Sequence, residues 1–557
     1  MLGKLFTRVI NTRLESWAEE YGIYIEAQNG FRKGRGTVDS LFILNQMVNS
    51  FVESGKKLYA FFIDYSKAFD YVVRDNLWYK LLQYGVNGKI LTIIMSMYQH
   101  VKTKVFLYGD TSAPFECKLG VRQGECLSPF LFSMYINDLE MELSTGNAGI
   151  TVCDVKIFLL FYADDAVIFG ESIEDLQGGI DTLFTYCNRW KLKLNTEKSQ
   201  VMVFKKGRRS AQETWRYGNV DIKVTNIIPY LGLVISANGS FNQAQVTLAA
   251  QANKALFTFH KNLSRFPGLT PKVVLSLFDK MITPILNYAS EVWGFHAAPN
   301  IERVHLKFCK SILGVKSSTQ NNFIYGELNR QPMKAMRMYN IIKYWLQLVH
   351  GEISLYANQC YINSLHELEQ RPRQCWANSV KNLLEQNGFG DAWVNQGVGD
   401  RNTFVLVFKN RLCDICQQTW QEELTNSTRA LFYRNIKETL EFSSYLDVVQ
   451  IEALSRLIVS SHGLRIESGR WDTTVTPRER RFCVSCKNVV EDEFHFVLQC
   501  PLYSDIREKY IKTYYRTKVS MFKLVGLFNL SNKRTIIGLA KYVYLAFKVR
   551  DTYVAAH

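Results

Sequence analysis

The chain of 557 residues has no apolar run approaching the roughly 20 residues that a bilayer-spanning helix requires. Met1 to Tyr21 carries charges throughout a helix-like pattern and lacks the apolar centre of a secretory signal. No internal repeat or low-complexity tract is present, which argues against a solenoid or a tail-like polymer. Most of the twelve Cys stand singly, so no disulfide framework is legible. Without a secretory signal they read as reduced thiols of an intracellular protein. Acidic residues are in deficit, 51 against 67 Lys and Arg, leaving a formal charge of +16. That excess favours a polyanionic partner and says nothing of fold. The remaining composition, 47% hydrophobic and 21% charged, is that of globular material, and the length allows several domains.

The most informative stretch is Ile157 to Gly170, in which Asp164 and Asp165 stand between two apolar, strand-like runs. The spacing predicts a hairpin with both acids at its tip. Adjacent carboxylates repel unless a cation lies between them. An Asx-type turn reads equally well from these residues alone. A second buried strand, Leu58 to Ile63, ends in Asp64. A carboxylate at the end of a central strand is costly unless paired or bound to metal, so Asp64 is the natural partner of the first two.

Other segments fit a phosphate-bearing ligand. Gln28 to Asp39 holds three Gly and three basic residues, among them Arg35; backbone N–H groups and a guanidinium fork suit an anion, and a solvated loop is the simpler alternative. Gly120-Val121-Arg122-Gln123-Gly124-Glu125 precedes a helix-like run from Phe130 to Met141, an arrangement suited to a nucleotide but also to a plain glycine turn. Asp39 and Asp75 read as helix caps. Lys205 to Arg209 reads as a solvated basic turn.

Ala60-Phe-Phe-Ile-Asp64-Tyr-Ser-Lys-Ala-Phe-Asp70, then Gly120-Val-Arg-Gln-Gly-Glu-Cys-Leu-Ser-Pro129, then Phe161-Tyr-Ala-Asp164-Asp165 resemble successive motifs of reverse transcriptases. The likeness is closest to the LINE-type, non-LTR retrotransposon enzymes. It extends to Trp190-Lys-Leu-Lys-Leu-Asn195-Thr-Glu-Lys198 and to Tyr230-Leu231-Gly232, and the Gln28–Asp39 loop resembles a fingers motif. The resemblance implies an α+β right-hand polymerase: partial fingers (1–50), a palm with an antiparallel sheet (51–240), a helical thumb (241–350), a helical connector (351–470), a zinc knuckle (471–510) and a helical C-terminal segment (511–557). It implies RNA-directed DNA synthesis from a DNA primer 3′-OH with dNTPs and two Mg²⁺ held by Asp64, Asp164 and Asp165. Lys198 would be the general acid for pyrophosphate. Arg35, Phe69, Arg122, Gln123 and Gly124 would line the nucleotide and template, with the Phe69 ring excluding a 2′-OH. Tyr230, Leu231 and Gly232 would grip the primer. RNA and DNA are then the partners, in a ribonucleoprotein of the nucleus or cytoplasm.

Because the chain begins in what resembles the middle of the fingers, an external endonuclease is expected, and a truncated or repurposed nucleic-acid-binding copy is the alternative reading. A group II intron or telomerase-like enzyme is disfavoured by the Tyr-Ala-Asp-Asp context and the C-terminal cluster.

That cluster is Cys483-x2-Cys486-x8-His495-x4-Cys500, three thiolates and one imidazole at the spacing of a tetrahedral Zn²⁺ site. It matches the position of the family's zinc knuckle. Glu491, Asp492 and Glu493 are expected to support His495 from behind. Cys413 and Cys416, in a helix-like segment without a second pair, read as free thiols. His462 reads as structural.

Overall fold

In the computed structural model, residues 2–207, 213–266, 268–370, 375–427, 432–436, 446–529 and 532–557 are described. Arg208 and Arg209 of the basic turn lie outside them. The chain divides into two compact units, one of residues 1–244, 289–296 and 340–405, the other of 245–288, 297–339 and 406–557.

The first unit is built on a six-stranded sheet: β1 (Leu58–Ile63), β2 (Leu159–Tyr162), β3 (Asp165–Gly170), β4 (Gln200–Phe204), β5 (Trp215–Tyr217) and β6 (Val220–Thr225), in the spatial order β5-β6-β4-β1-β3-β2. All six residues of β1 are buried, as its unbroken apolar run predicts. β1 pairs antiparallel with β3 and β4. The sheet is not wholly antiparallel as expected, because β6 runs parallel to β4. The chain reverses into the edge strand β5 and reverses again into β6, which therefore re-enters beside β4 in the same direction. Helices Thr37–Glu53 and Ile173–Trp190 pack on β1.

Several local expectations shift. The Thr37–Glu53 helix takes Gly36 as its N-cap, and Asp39, one turn in, accepts from the Gly36 N–H at 2.8 Å. Asp75 likewise lies inside the first turn of Arg74–Gln83, behind Val73. The run expected as one helix from Phe130 is two, Ser128–Ile136 and Leu139–Ser144. The break is held by side-chain bonds: Asn137 donates to the Ile23 carbonyl (2.7 Å), and Asp138 receives Lys80 (2.6 Å).

Residues 340–405, divided in the sequence reading between thumb and connector, cluster with the sheet. Tyr344, buried edge-on against Phe42, donates to Asp39 at 3.1 Å, and Tyr356 donates to Glu140 at 2.6 Å.

Lys80 is only 2% exposed. Its ammonium donates to the Tyr135 carbonyl (2.5 Å), Asp138 (2.6 Å) and the Tyr186 hydroxyl (2.7 Å), and lies 3.8 Å from the Trp190 ring centroid. One cation thus ties together the helix of Arg74–Gln83, the Asn137–Asp138 break and the helix of Ile173–Trp190. Lys80→Ala removes the ammonium from three acceptors, one of them the Asp138 carboxylate, and is expected to lower unfolding stability by about 3–5 kcal/mol in chemical denaturation. A loss below about 1 kcal/mol would show that the strut is dispensable.

The second unit is helical. Its C-terminal core joins helices Val448–Ile458 and Lys533–Ala556 to the Cys483–Cys500 segment, through Leu454, Leu457, Phe496, Tyr542, Val543 and Ala546.

Candidate functional site

β2 and β3 form the expected hairpin. Tyr162 pairs with Asp165, so Ala163 and Asp164 make the turn. β1 is in register with β3 as far as Ile63 opposite Ala166, which brings the next residue, Asp64, across from Asp165. Three carboxylates thereby meet at one end of the sheet. Asp64 and Asp164 are half-buried and Asp165 is exposed, so the group is open to a diffusible ion.

Their electrostatics are those of crowded acids. Asp165 is pushed up to about 6, first by desolvation at the strand end, then by Asp164 and Asp64. Asp164 is raised by desolvation and Asp64, against a lowering backbone hydrogen bond. A divalent cation would remove the repulsion that raises both. The Lys198 ammonium lies 4.0 Å from Asp64, both side chains being open to solvent. The segment bearing Lys198 is stitched to the end of β1: the Asn195 N–H donates to the Asp64 carbonyl (2.8 Å) and the Asp64 N–H to Ser199 Oγ (3.0 Å).

Ala163 holds φ at +60°, a left-handed conformation that is unfavourable for a residue with a Cβ. Gln28 stabilises it. Its Oε1 accepts from the Ala163 N–H (3.1 Å) and the Gly30 N–H (2.8 Å), while Asn29 N–H donates to Phe161 O (2.9 Å). Gly30 is pressed so closely on the turn that a Cβ there would stand 2.3 Å from the Ala163 nitrogen. The sequence reading missed this brace, since nothing local shows that a loop 135 residues away abuts the acids. Gly30→Ala must displace the turn. It is expected to lower any turnover depending on Asp164 and Asp165 by roughly 10–100-fold, read as a kinetic loss that exceeds any loss of helical signal.

The basic loop does not present its arginines to a ligand. Arg35 makes a two-pronged pair with Glu26 (2.8 and 3.0 Å), and Arg32 does so with Glu19 (2.8 and 2.6 Å). The Arg35 fork is thus engaged by Glu26, which a phosphate would have to displace. Both acids were visible in the sequence, but their pairing depends on the loop's path.

Phe69, Gln123 and Gly124 are brought to one pair of loops. Gly120 (φ +82°) lies against Asp70, where a Cβ would be 2.8 Å from the Asp70 carbonyl oxygen. Val121 N–H donates to Phe69 O (2.9 Å), and Gln123 Nε2 donates to Asp70 (2.9 Å). The half-buried Phe69 ring stacks on Phe132 at 4.7 Å. Arg122 is held by Glu125 (2.9 Å) and the Met97 carbonyl, so its charge is partly spent within the protein. Leu231 and Gly232 form the tip of a separate hairpin, β7 (Ile227–Tyr230) with β8 (Leu233–Ser236). Tyr230 itself is buried edge-on against Phe62 of β1, which positions the hairpin rather than exposing a phenol to ligand.

In the second unit, Cys483, Cys486, His495 and Cys500 offer ligand atoms within 4.8 Å of one another, the only such group of three or more among the described residues. Sγ atoms of Cys483 and Cys486 lie 3.9 and 3.8 Å from that of Cys500. A π-helical turn, His495–Gln499, closes the second ligand pair: Cys500 N–H donates to His495 O at 2.8 Å, five residues back. The His495 ring is buried with both nitrogens lacking a hydrogen-bond partner. Two orphaned ring nitrogens beside three thiols suit a metal and little else. The hydrogen bond from Cys500 holds the Cys483 thiol well below the ordinary range and pushes Cys500 up, so one thiolate is already favoured.

The three acids before His495 do not support its ring as expected. Glu491 is taken by Arg550 (2.7 and 2.8 Å), Glu493 by His462 (3.1 Å), and Asp492 accepts from the His495 backbone N–H (2.8 Å). Cys413 and Cys416 join no ligand group among the described residues.

Residues 1–235 match the family described as reverse transcriptase (RNA-dependent DNA polymerase). The chain is 26% identical over 324 residues to a probable RNA-directed DNA polymerase from transposon BS of Drosophila melanogaster, covering 55% of this chain and 34% of the relative. It is 24% identical to the RNA-directed DNA polymerase from mobile element jockey of Drosophila funebris, covering 56% and 34%. It is 23% identical to the retrovirus-related Pol polyprotein from type-1 retrotransposable element R2 of Popillia japonica, covering 53% and 48%. The chain thus spans between a third and a half of the length of these curated relatives. The family match and these likenesses agree with the resemblance carried by the sequence motifs.

Proposed function

We infer that this chain, whose residues 1–235 match the reverse transcriptase family, extends a DNA primer 3′-OH on an RNA template with dNTPs. The observation that carries the reading is the meeting of Asp64 with Asp164 and Asp165 at the open end of the sheet, with Lys198 4.0 Å from Asp64. The three carboxylates would hold two Mg²⁺, which when bound lower the pKa of the primer hydroxyl and neutralise the triphosphate. Mg²⁺ prefers such hard oxygen ligands and keeps part of its water.

Around that centre the protein's own groups have separate tasks. Lys198 is placed to donate a proton to departing pyrophosphate. Phe69, fixed by its stack on Phe132, would stand beside the sugar and disfavour a 2′-OH. Exposed Gln123 and Gly124 would offer a polar edge to the nucleotide or template, and Leu231 and Gly232, at their hairpin tip, would grip the primer. Cys483, Cys486, His495 and Cys500 would hold one structural Zn²⁺.

The test is primer extension by the purified chain on a defined RNA template with dNTPs and Mg²⁺. RNA-dependent elongation is the expected result. A folded protein that binds primer–template and adds no nucleotide would overturn the polymerase reading in favour of a nucleic-acid-binding role.

A further inference from the structure

Within the second unit, Lys316, Thr319, Ser461, His462 and Trp471 line a cavity of ≈ 50 Å³ that opens to solvent. His462 is 4% exposed. Its Nε2 lies 3.1 Å from Glu493 Oε1, and its Nδ1, also buried, has no hydrogen-bond partner. With Nε2 committed to the carboxylate, Nδ1 is the ring atom left for a ligand. The floor is rigid: Ser461 Oγ accepts from the Lys316 N–H and meets Thr319 Oγ1, each at 3.0 Å. Glu467, which also lines the cavity, is held by Arg470 at 3.1 Å. Trp471, 69% exposed, stands at the rim, and Lys316 supplies a cation.

We propose that this cavity recognises the sugar edge of a ribonucleotide in single-stranded RNA, a reading that rests on the RNA-template function above. The cavity opens to solvent, so the edge of a sugar can reach the buried imidazole. A ribose 2′-OH both donates and accepts, so it satisfies Nδ1 whichever protonation state the ring holds. Outside the mouth, Trp471 offers a face for the base and Lys316 a charge for the adjoining phosphate. The hydroxyl is also the group that separates RNA from DNA, and on the single strand this pocket edge would read it.

The experiment measures binding of the full chain to a single-stranded RNA decamer, the same-sequence DNA and the 2′-O-methyl RNA, by fluorescence anisotropy. Primer extension at saturating template is run in parallel. His462→Gln is expected to weaken RNA binding roughly fivefold while leaving DNA binding unchanged, because one hydrogen bond is lost only where the hydroxyl exists. Trp471→Ala is expected to weaken all three ligands roughly tenfold. Extension at saturation should remain at the parent level in both. Should His462→Gln fail to fold, exposed Trp471→Ala and Lys316→Ala decide the matter. Unchanged RNA affinity in folded variants overturns the pocket, whereas extension failing in the parent chain with pocket binding intact overturns only the polymerase reading.

Discussion

Asp164→Ala is expected to lower RNA-templated dNTP incorporation by at least about 10³-fold while the protein remains folded. The side chain lies in the turn between β2 and β3, half-buried and outside the apolar rows of either strand. Its removal therefore costs little packing. What it removes is one of three carboxylates that share charge with the cations, and stabilisation of several kcal/mol in the transition state corresponds to a rate loss of this size. Asp165→Asn and Asp64→Asn should behave alike, because the β1–β3 register and the β2–β3 turn bring the three to one end of the sheet. Extension that survives Asp164→Ala would remove the metal assignment altogether.

The same crowding gives a pH dependence with a definite sign. Asp165 sits near 6 in the cation-free protein, above the usual carboxylate range, because of desolvation and its two neighbours. A cation must displace the proton retained below that value. At limiting Mg²⁺, incorporation should rise as pH increases through about 6 and then level off, and excess Mg²⁺ should move the rise to lower pH. A profile indifferent to Mg²⁺ concentration would contradict this linkage.

Cys486→Ser is expected to reduce zinc from about one per chain to none and to destabilise the second unit by several kcal/mol. Cys483 and Cys500 are buried within a core shared with Leu454, Tyr542 and Val543, and Arg550 of the C-terminal helix pairs with buried Glu491 beside the cluster. Metal loss would leave the thiols and the His495 ring unsatisfied inside that core. The cost should nonetheless fall short of the roughly 10–16 kcal/mol of isolated zinc fingers, because the shared core persists without the ion. Thermal unfolding with and without chelator, alongside metal analysis, measures both effects. Cys413→Ser should change neither, and a purified folded chain without zinc would refute the site.

Some of this protein is settled by sequence alone. The unbroken apolar run of Leu58 to Ile63 specifies a doubly buried strand, and the paired acids between two apolar runs specify a hairpin tip. The spacing Cys-x2-Cys-x8-His-x4-Cys names its ligand set without reference to the fold. These are local patterns, and local chemistry limits what they can become. Tertiary structure decided the rest, because each of those outcomes depends on the path the backbone takes between the paired residues. Arg35 is neutralised by Glu26, and Gln28 and Gly30 brace a turn 135 residues away. The acids before His495 are drawn off to Arg550 and His462, and residues 340–405 pack with the sheet. A side chain's identity fixes which partners it can accept; only the path of the backbone determines which of them comes within reach.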